Sequence, residues 1–75
     1  MNFEYDITNA KSIYFTYTNW SGKISTREAR PISVRFGASE YHEEPQWLML
    51  AFDDDLQEIR EFAMRDMRAV GEVKP

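Results

Sequence analysis

Six consecutive apolar side chains, Trp47-Leu48-Met49-Leu50-Ala51-Phe52, stand between Pro45-Gln46 and the acidic triplet Asp53-Asp54-Asp55. A strand points successive side chains to opposite faces, so a run that is apolar at every position is apolar on both faces. Six residues are also too few for most helices. The run therefore reads as a central strand covered on both sides, with Trp47 in the core and the rest of the chain as cover.

That cover must be economical. A chain of 75 residues makes one domain, and a domain of this size buries only roughly 60% of the surface that its unfolded chain exposes. The eleven aromatic residues carry much of the load, since each buries about 150–250 Å². Cysteine is absent, which excludes disulfides, thiolate metal sites and a cysteine nucleophile. No apolar segment approaches the roughly 18 residues of a membrane span, and Met1 to Asp6 lack the basic start and apolar centre of a signal peptide. A cytoplasmic protein with no membrane association is expected.

Along the chain, Phe3, Tyr5 and Ile7 alternate as an edge strand would, while Asp6, Asn9 and Ala10 suit a loop, so residues 1–11 are left irregular. Ile13, Phe15 and Tyr17 alternate with Tyr14, Thr16 and Thr18, a strand rich in β-branched and aromatic residues. Asn19-Trp20-Ser21-Gly22-Lys23 is a hairpin turn in which Gly22 can take positive φ. The chain returns from Ile24 to Arg30 and meets Pro31, which has no N–H for a ladder and predicts a bend or an edge. Ile32, Val34 and Phe36 then alternate as a half-buried strand ended by Gly37, and residues 37–45 form an exposed acidic loop. After Phe52 two readings compete. Asp53-Asp54-Asp55 can cap a helix carrying Leu56, Ile59, Ala63, Met67 and Val70 at spacings of three and four, or form a tight hairpin into a strand over Glu58 to Met64. Glu72 to Pro75 reads as a frayed tail.

Net charge is −4, which opposes broad attraction to nucleic acid, single-stranded or otherwise. The charge is uneven, with Lys23, Arg27, Arg30 and Arg35 against Glu28 alone between residues 23 and 35. A guanidinium can grip a phosphate or carboxylate with two parallel hydrogen bonds, so Arg27 and Arg60 are candidate ligand contacts, with ion pairs to Glu28, Glu58 or Glu61 as the structural alternative. Arg30 differs from Arg27 in strand parity and should point the other way. Trp20, in a polar turn beside Lys23, either folds over the hairpin or offers a stacking surface for a base or a protein partner. His42 is the sole histidine, and its neighbours Glu40, Glu43 and Glu44 lack the spacing of metal ligands. Neither Ser33 nor Ser39 has a second histidine to choose among, no phosphate-cradling glycine loop occurs, and no cofactor or reaction is implied.

Taken together, Tyr17, Gly22, Arg27 with Ala29 and Pro31, Trp47 with Ala51, and Arg60 with Phe62 follow the order and spacing of a known pattern over about residues 12–68. In this the chain resembles the WYL domain family, small Sm-like or SH3-like β-barrel modules found mostly in bacterial transcription regulators and in phage-defence and CRISPR-associated regulators. Two stretches depart from the pattern. Trp47 is followed by Leu48-Met49 rather than tyrosine and leucine, and Phe62 by Ala63-Met64-Arg65-Asp66-Met67 rather than the family's basic run. The resemblance implies a single, free-standing, mainly β domain over residues 1–75, a small Sm/SH3-like partial barrel with loose ends at 1–11 and 71–75. It favours the hairpin and strand over the helix after Phe52, with room for a short helix near Arg65 to Val70. It further implies a non-enzymatic regulatory module that binds a nucleotide-like or other anionic ligand through Arg27, Arg60, Trp20 and Tyr17. A module for protein interaction or homodimer formation, with no small ligand, is the alternative.

Overall fold

The computed structural model describes residues 11–73. The expectations for Phe3, Tyr5 and Ile7, and for loose order at residues 1–10 and 74–75, lie outside the described residues. Five strands form one antiparallel sheet: β1 (Ile13–Thr18), β2 (Ile24–Gly37), β3 (Gln46–Asp53), β4 (Glu58–Ala63) and β5 (Met67–Glu72), in the spatial order β4-β3-β2-β1-β5. The protein is mainly β, as the alternation predicts. Among the described residues no helix is long and apolar enough to cross a membrane.

The sheet cannot be flat. β4 and β5 occupy its opposite edges, yet only Met64–Asp66, one turn of 3₁₀ helix, joins them. Five flat strands would set those edges about 19 Å apart, whereas the four steps from Ala63 to Met67 reach at most about 14 Å fully extended. The sheet must roll. The result is an open partial barrel whose inner face brings Phe15 and Tyr17 of β1 against Phe62 of β4, at ring-centroid distances of 5.1 Å for both contacts with Phe62, edge to face. Ala29, Met49 and Ala51 fill the remaining core, with Ile13 and Met67 packed against it.

Pro31 does what its missing N–H requires. The fourteen-residue β2 runs through it with a register shift between Pro31 and Ser33, so the expected bend is a bulge within one continuous strand. Its first half pairs with β1 and its second with β3, which makes β2 the middle strand of the order.

The apolar run lies within β3, flanked by β2 and β4, and Met49 and Ala51 are buried on the core face. On the other face Leu48 is buried but Leu50 and Phe52 are only half-buried, so the expected cover of both faces is met in part. Trp47 is a correction. It is 56% exposed, because it sits where the β2–β3 hairpin projects past the rolled core, and among the described residues its aromatic contact is an edge-on approach to Phe36, itself exposed.

The segment after Phe52 is the hairpin and strand rather than the amphipathic helix. Leu56, Ile59 and Val70, which would have formed the buried stripe of that helix, are exposed. The short helix expected near Arg65 to Val70 is only the 3₁₀ turn at Met64–Asp66, and Met67–Glu72 forms β5. Glu72, expected in a frayed tail, pairs with Ile13, and the Val73 N–H donates to the Ser12 carbonyl.

Candidate functional site

Strand register places the two candidate arginines. Arg27 on β2 stands opposite Phe15, and Arg60 on β4 stands opposite Ala51. Phe15 and Ala51 both belong to the core, so both arginines arise from the inner face of the rolled sheet. Arg30 stands opposite Phe52, has the other parity, and pairs with Asp54 at 3.1 Å.

An open cleft of about 740 Å³ is lined by Tyr17, Trp20, Arg27 and Arg60 together, with further walls from Ser39 to His42 and from Glu58 to Phe62. The four residues singled out in the sequence thus share one concavity. Their conditions differ. Trp20 is 88% exposed and does not fold over its hairpin. The turn beneath it is held instead by Asn19, whose Oδ1 accepts from Ser21 N at 3.0 Å, Ser21 Oγ at 2.7 Å and Lys23 N at 3.0 Å.

Tyr17 is a wall of the cleft and a strut of the barrel at once. Its ring is buried, and its hydroxyl accepts the Ala63 N–H at 2.9 Å, tying β1 to the end of β4 across the core. Burial pushes the phenol above its ordinary pKa of 10.0, outweighing the lowering effect of the Ala63 hydrogen bond. The hydroxyl is therefore a neutral group that can still donate its proton.

Arg27 is half-buried and reaches Asp53 Oδ2 through Nη1 at 3.4 Å, a long contact. Its Nε is buried and has no hydrogen-bond partner among the described residues, so much of the guanidinium fork is uncommitted. Asp53 is fully buried and was missed in the sequence, where the aspartate triplet reads only as a turn or a cap. Arg60 meets Glu58 Oε1 at 3.3 Å, with both side chains exposed. An exposed pair of this kind is worth about 0–1 kcal/mol and exchanges readily.

The loop before β3 contributes two groups that its lack of periodicity concealed. Ser39 Oγ accepts the N–H groups of Tyr41 at 3.3 Å and His42 at 3.1 Å, and the Ser39 and His42 backbones bond to each other, which presents Tyr41, 74% exposed, at the cleft. Such a serine turn leaves no hydrophobic period to read. Among the described residues no group of three histidine, aspartate or glutamate side chains is placed to hold a metal.

The lining is electrically mixed. Arg27 and Arg60 face Glu40, Glu58 and Glu61 in the same concavity, but Glu61 is held by Arg35 through two hydrogen bonds of 2.9 Å and is largely neutralised. What remains is near balance, with aromatic surface on Trp20 and Tyr41. Neither the protein-family models nor the curated proteins compared with the chain give a match.

Proposed function

We propose that the domain is a non-enzymatic binding module whose cleft takes a small planar ligand bearing one or two negative charges, of which a mononucleotide is the type. The observation that carries this is the convergence of Trp20, Tyr17, Arg27 and Arg60 on one cleft. An indole this exposed supplies a stacking plane, worth about 1–3 kcal/mol per base, and the exposed, loosely paired Arg60, with the half-buried Arg27 as a second positive charge in the cleft, supplies donors for a phosphate or carboxylate. The resemblance to the WYL family, in regulators of bacterial and phage-related origin, supports the same assignment and a cytoplasmic regulatory role. The mixed lining and the net charge of −4 disfavour polyanions, so a short single-stranded oligonucleotide should bind no more tightly than a mononucleotide.

Titration of labelled protein with adenosine monophosphate, at low and moderate salt, tests this through amide shifts. Shifts at Trp20, Arg27 and Arg60, lost in Trp20→Ala and weakened in Arg60→Ala, are expected. Silence at all three positions across the titration removes the small-ligand reading.

A second reading, a protein-interaction module without a small ligand, is favoured by a different observation. Trp20, Phe36 and Trp47 are all exposed on a small domain, and aromatic surface of this kind is characteristic of protein interfaces.

A further inference from the structure

β4 is an edge strand that pairs with β3 alone among the described residues. Five consecutive residues, Glu58 to Phe62, line the cleft. Consecutive residues alternate between the two faces of a strand, so a concavity that touches all five runs along the strand's outer edge. The backbone agrees. The Ala63 N–H is given to the Tyr17 hydroxyl rather than to β3, and in an antiparallel strand alternate residues direct their N–H and C=O to the same side. Glu61 and Ile59 therefore present their backbone groups outward, along the open edge, as a template for another strand.

We infer that this edge pairs with β4 of a second copy of the chain, antiparallel about a two-fold axis centred on Ile59. The partner follows from the charges. A two-fold perpendicular to the sheet places like faces together, so strand centres at Glu58, Arg60 or Glu61 would set two like charges directly opposite each other. Only the register centred on Ile59 avoids this among the exposed positions. It sets Glu58 of each copy against Arg60 of the other, twice, and lays Ile59 against Ile59. The latter accounts for an isoleucine 57% exposed on an otherwise charged edge. The Glu58–Arg60 pair within each chain, at 3.3 Å and exposed on both sides, is given up in both copies for two such pairs across the axis, at little cost.

This inference gives the interaction reading a partner and a register; it engages Arg60 and the β4 wall of the same cleft, so the strand contact and a small ligand compete there. The contact is one six-residue strand on each side, smaller than a standard interface of about 1,600 Å², so the dimer is weak and concentration-dependent.

Sedimentation velocity over a wide range of protein concentration, up to about 1 mM, is the test. Wild type should pass from monomer to dimer. Glu58→Arg alone and Arg60→Glu alone each bring like charges together and should raise the dissociation constant at least tenfold. The double variant Glu58→Arg/Arg60→Glu restores opposite charges in the same register and should recover wild-type association. A mixture of the two single variants should form the heterodimer in preference to either homodimer. Both side chains are exposed, and far-UV circular dichroism of each variant establishes that the fold is intact. A dimer indifferent to all these substitutions overturns the β4 register while leaving the interaction reading standing through another surface. A monomer at every concentration overturns self-pairing altogether, including the case in which the edge accepts an unrelated extended peptide.

Discussion

Two of the hairpin turns among the described residues, Asn19 to Lys23 between β1 and β2 and Asp53 to Gln57 between β3 and β4, are built on one plan and set in opposite surroundings. Each opens with a side-chain oxygen that accepts backbone N–H groups further along. Asn19 Oδ1 takes Ser21 N and Lys23 N, and Asp53 Oδ1 takes Asp55 N at 2.9 Å and Leu56 N at 3.0 Å. Each ends in the left-handed region, at Gly22 with φ 83° and at Gln57 with φ 56°. The first turn stands in solvent and carries an exposed Trp20. The second is docked, with Asp53 fully buried, Asp54 N bonded to the Glu28 carbonyl, and the Asp54 carboxylate reached by Ser12 Oγ at 2.6 Å and by Arg30. The same local device is thus a free-standing turn in one place and a strut between β-strands in the other.

The largest test of that difference is Asp53→Ala. It removes an acceptor from two backbone N–H groups and the counter-charge from the half-buried Arg27, and should cost about 3 kcal/mol, read from urea unfolding. Asp53→Asn keeps an oxygen for the turn but removes the charge, and should recover about half of that loss. Gly22→Ala comes next. Nothing lies within 4 Å of where its Cβ would stand, so the effect is backbone strain alone, about 1 kcal/mol once the stiffer unfolded chain is allowed for. Asn19→Ala should cost less still, about 0.5 kcal/mol, because water reaches the N–H groups that it releases.

The contrast also explains what could be read in advance. The first turn was legible because Asn and Gly bracket it and the strands on either side alternate cleanly. At the second, a side-chain oxygen accepting the N–H groups two and three residues on is also how an aspartate caps a helix, so Asp53-Asp54-Asp55 suits both outcomes. Leu56, Ile59 and Ala63 fit a helical period by their identities, and only the pairing of β4 with β3 overrides it. Trp47 misled for a related reason. An apolar run fixes a strand but not where the rolled core ends along it.

The site divides in the same way. Parity alone separates Arg27 from Arg30, as the structure has it. The approach of Arg60 to Tyr17 depends on the roll of the sheet, which is dictated by the brevity of the 64–66 connection and leaves no mark in local periodicity. Asp53 as the partner of Arg27, 26 residues away, is a consequence of register and invisible to any window of neighbouring residues.

Gln57→Gly gives an effect as small as that of Asn19→Ala and of the opposite sign. Gln57 occupies the conformation that Gly22 occupies in the first turn, but with a side chain that disfavours it by about 1 kcal/mol. Its own amide offsets part of that by donating to the Asp54 carbonyl at 2.6 Å, an exposed bond for which water substitutes. Replacing it with glycine relieves the strain and loses the bond, while the freer unfolded chain takes back some of the gain, leaving about 0.5 kcal/mol of added stability. Equilibrium unfolding of the variant beside Gly22→Ala measures both. If Gln57→Gly instead destabilises as much as Gly22→Ala does, the two turns do not share a plan, and the docking of Asp53 and Asp54 rather than the backbone conformation at residue 57 determines the shape of the second.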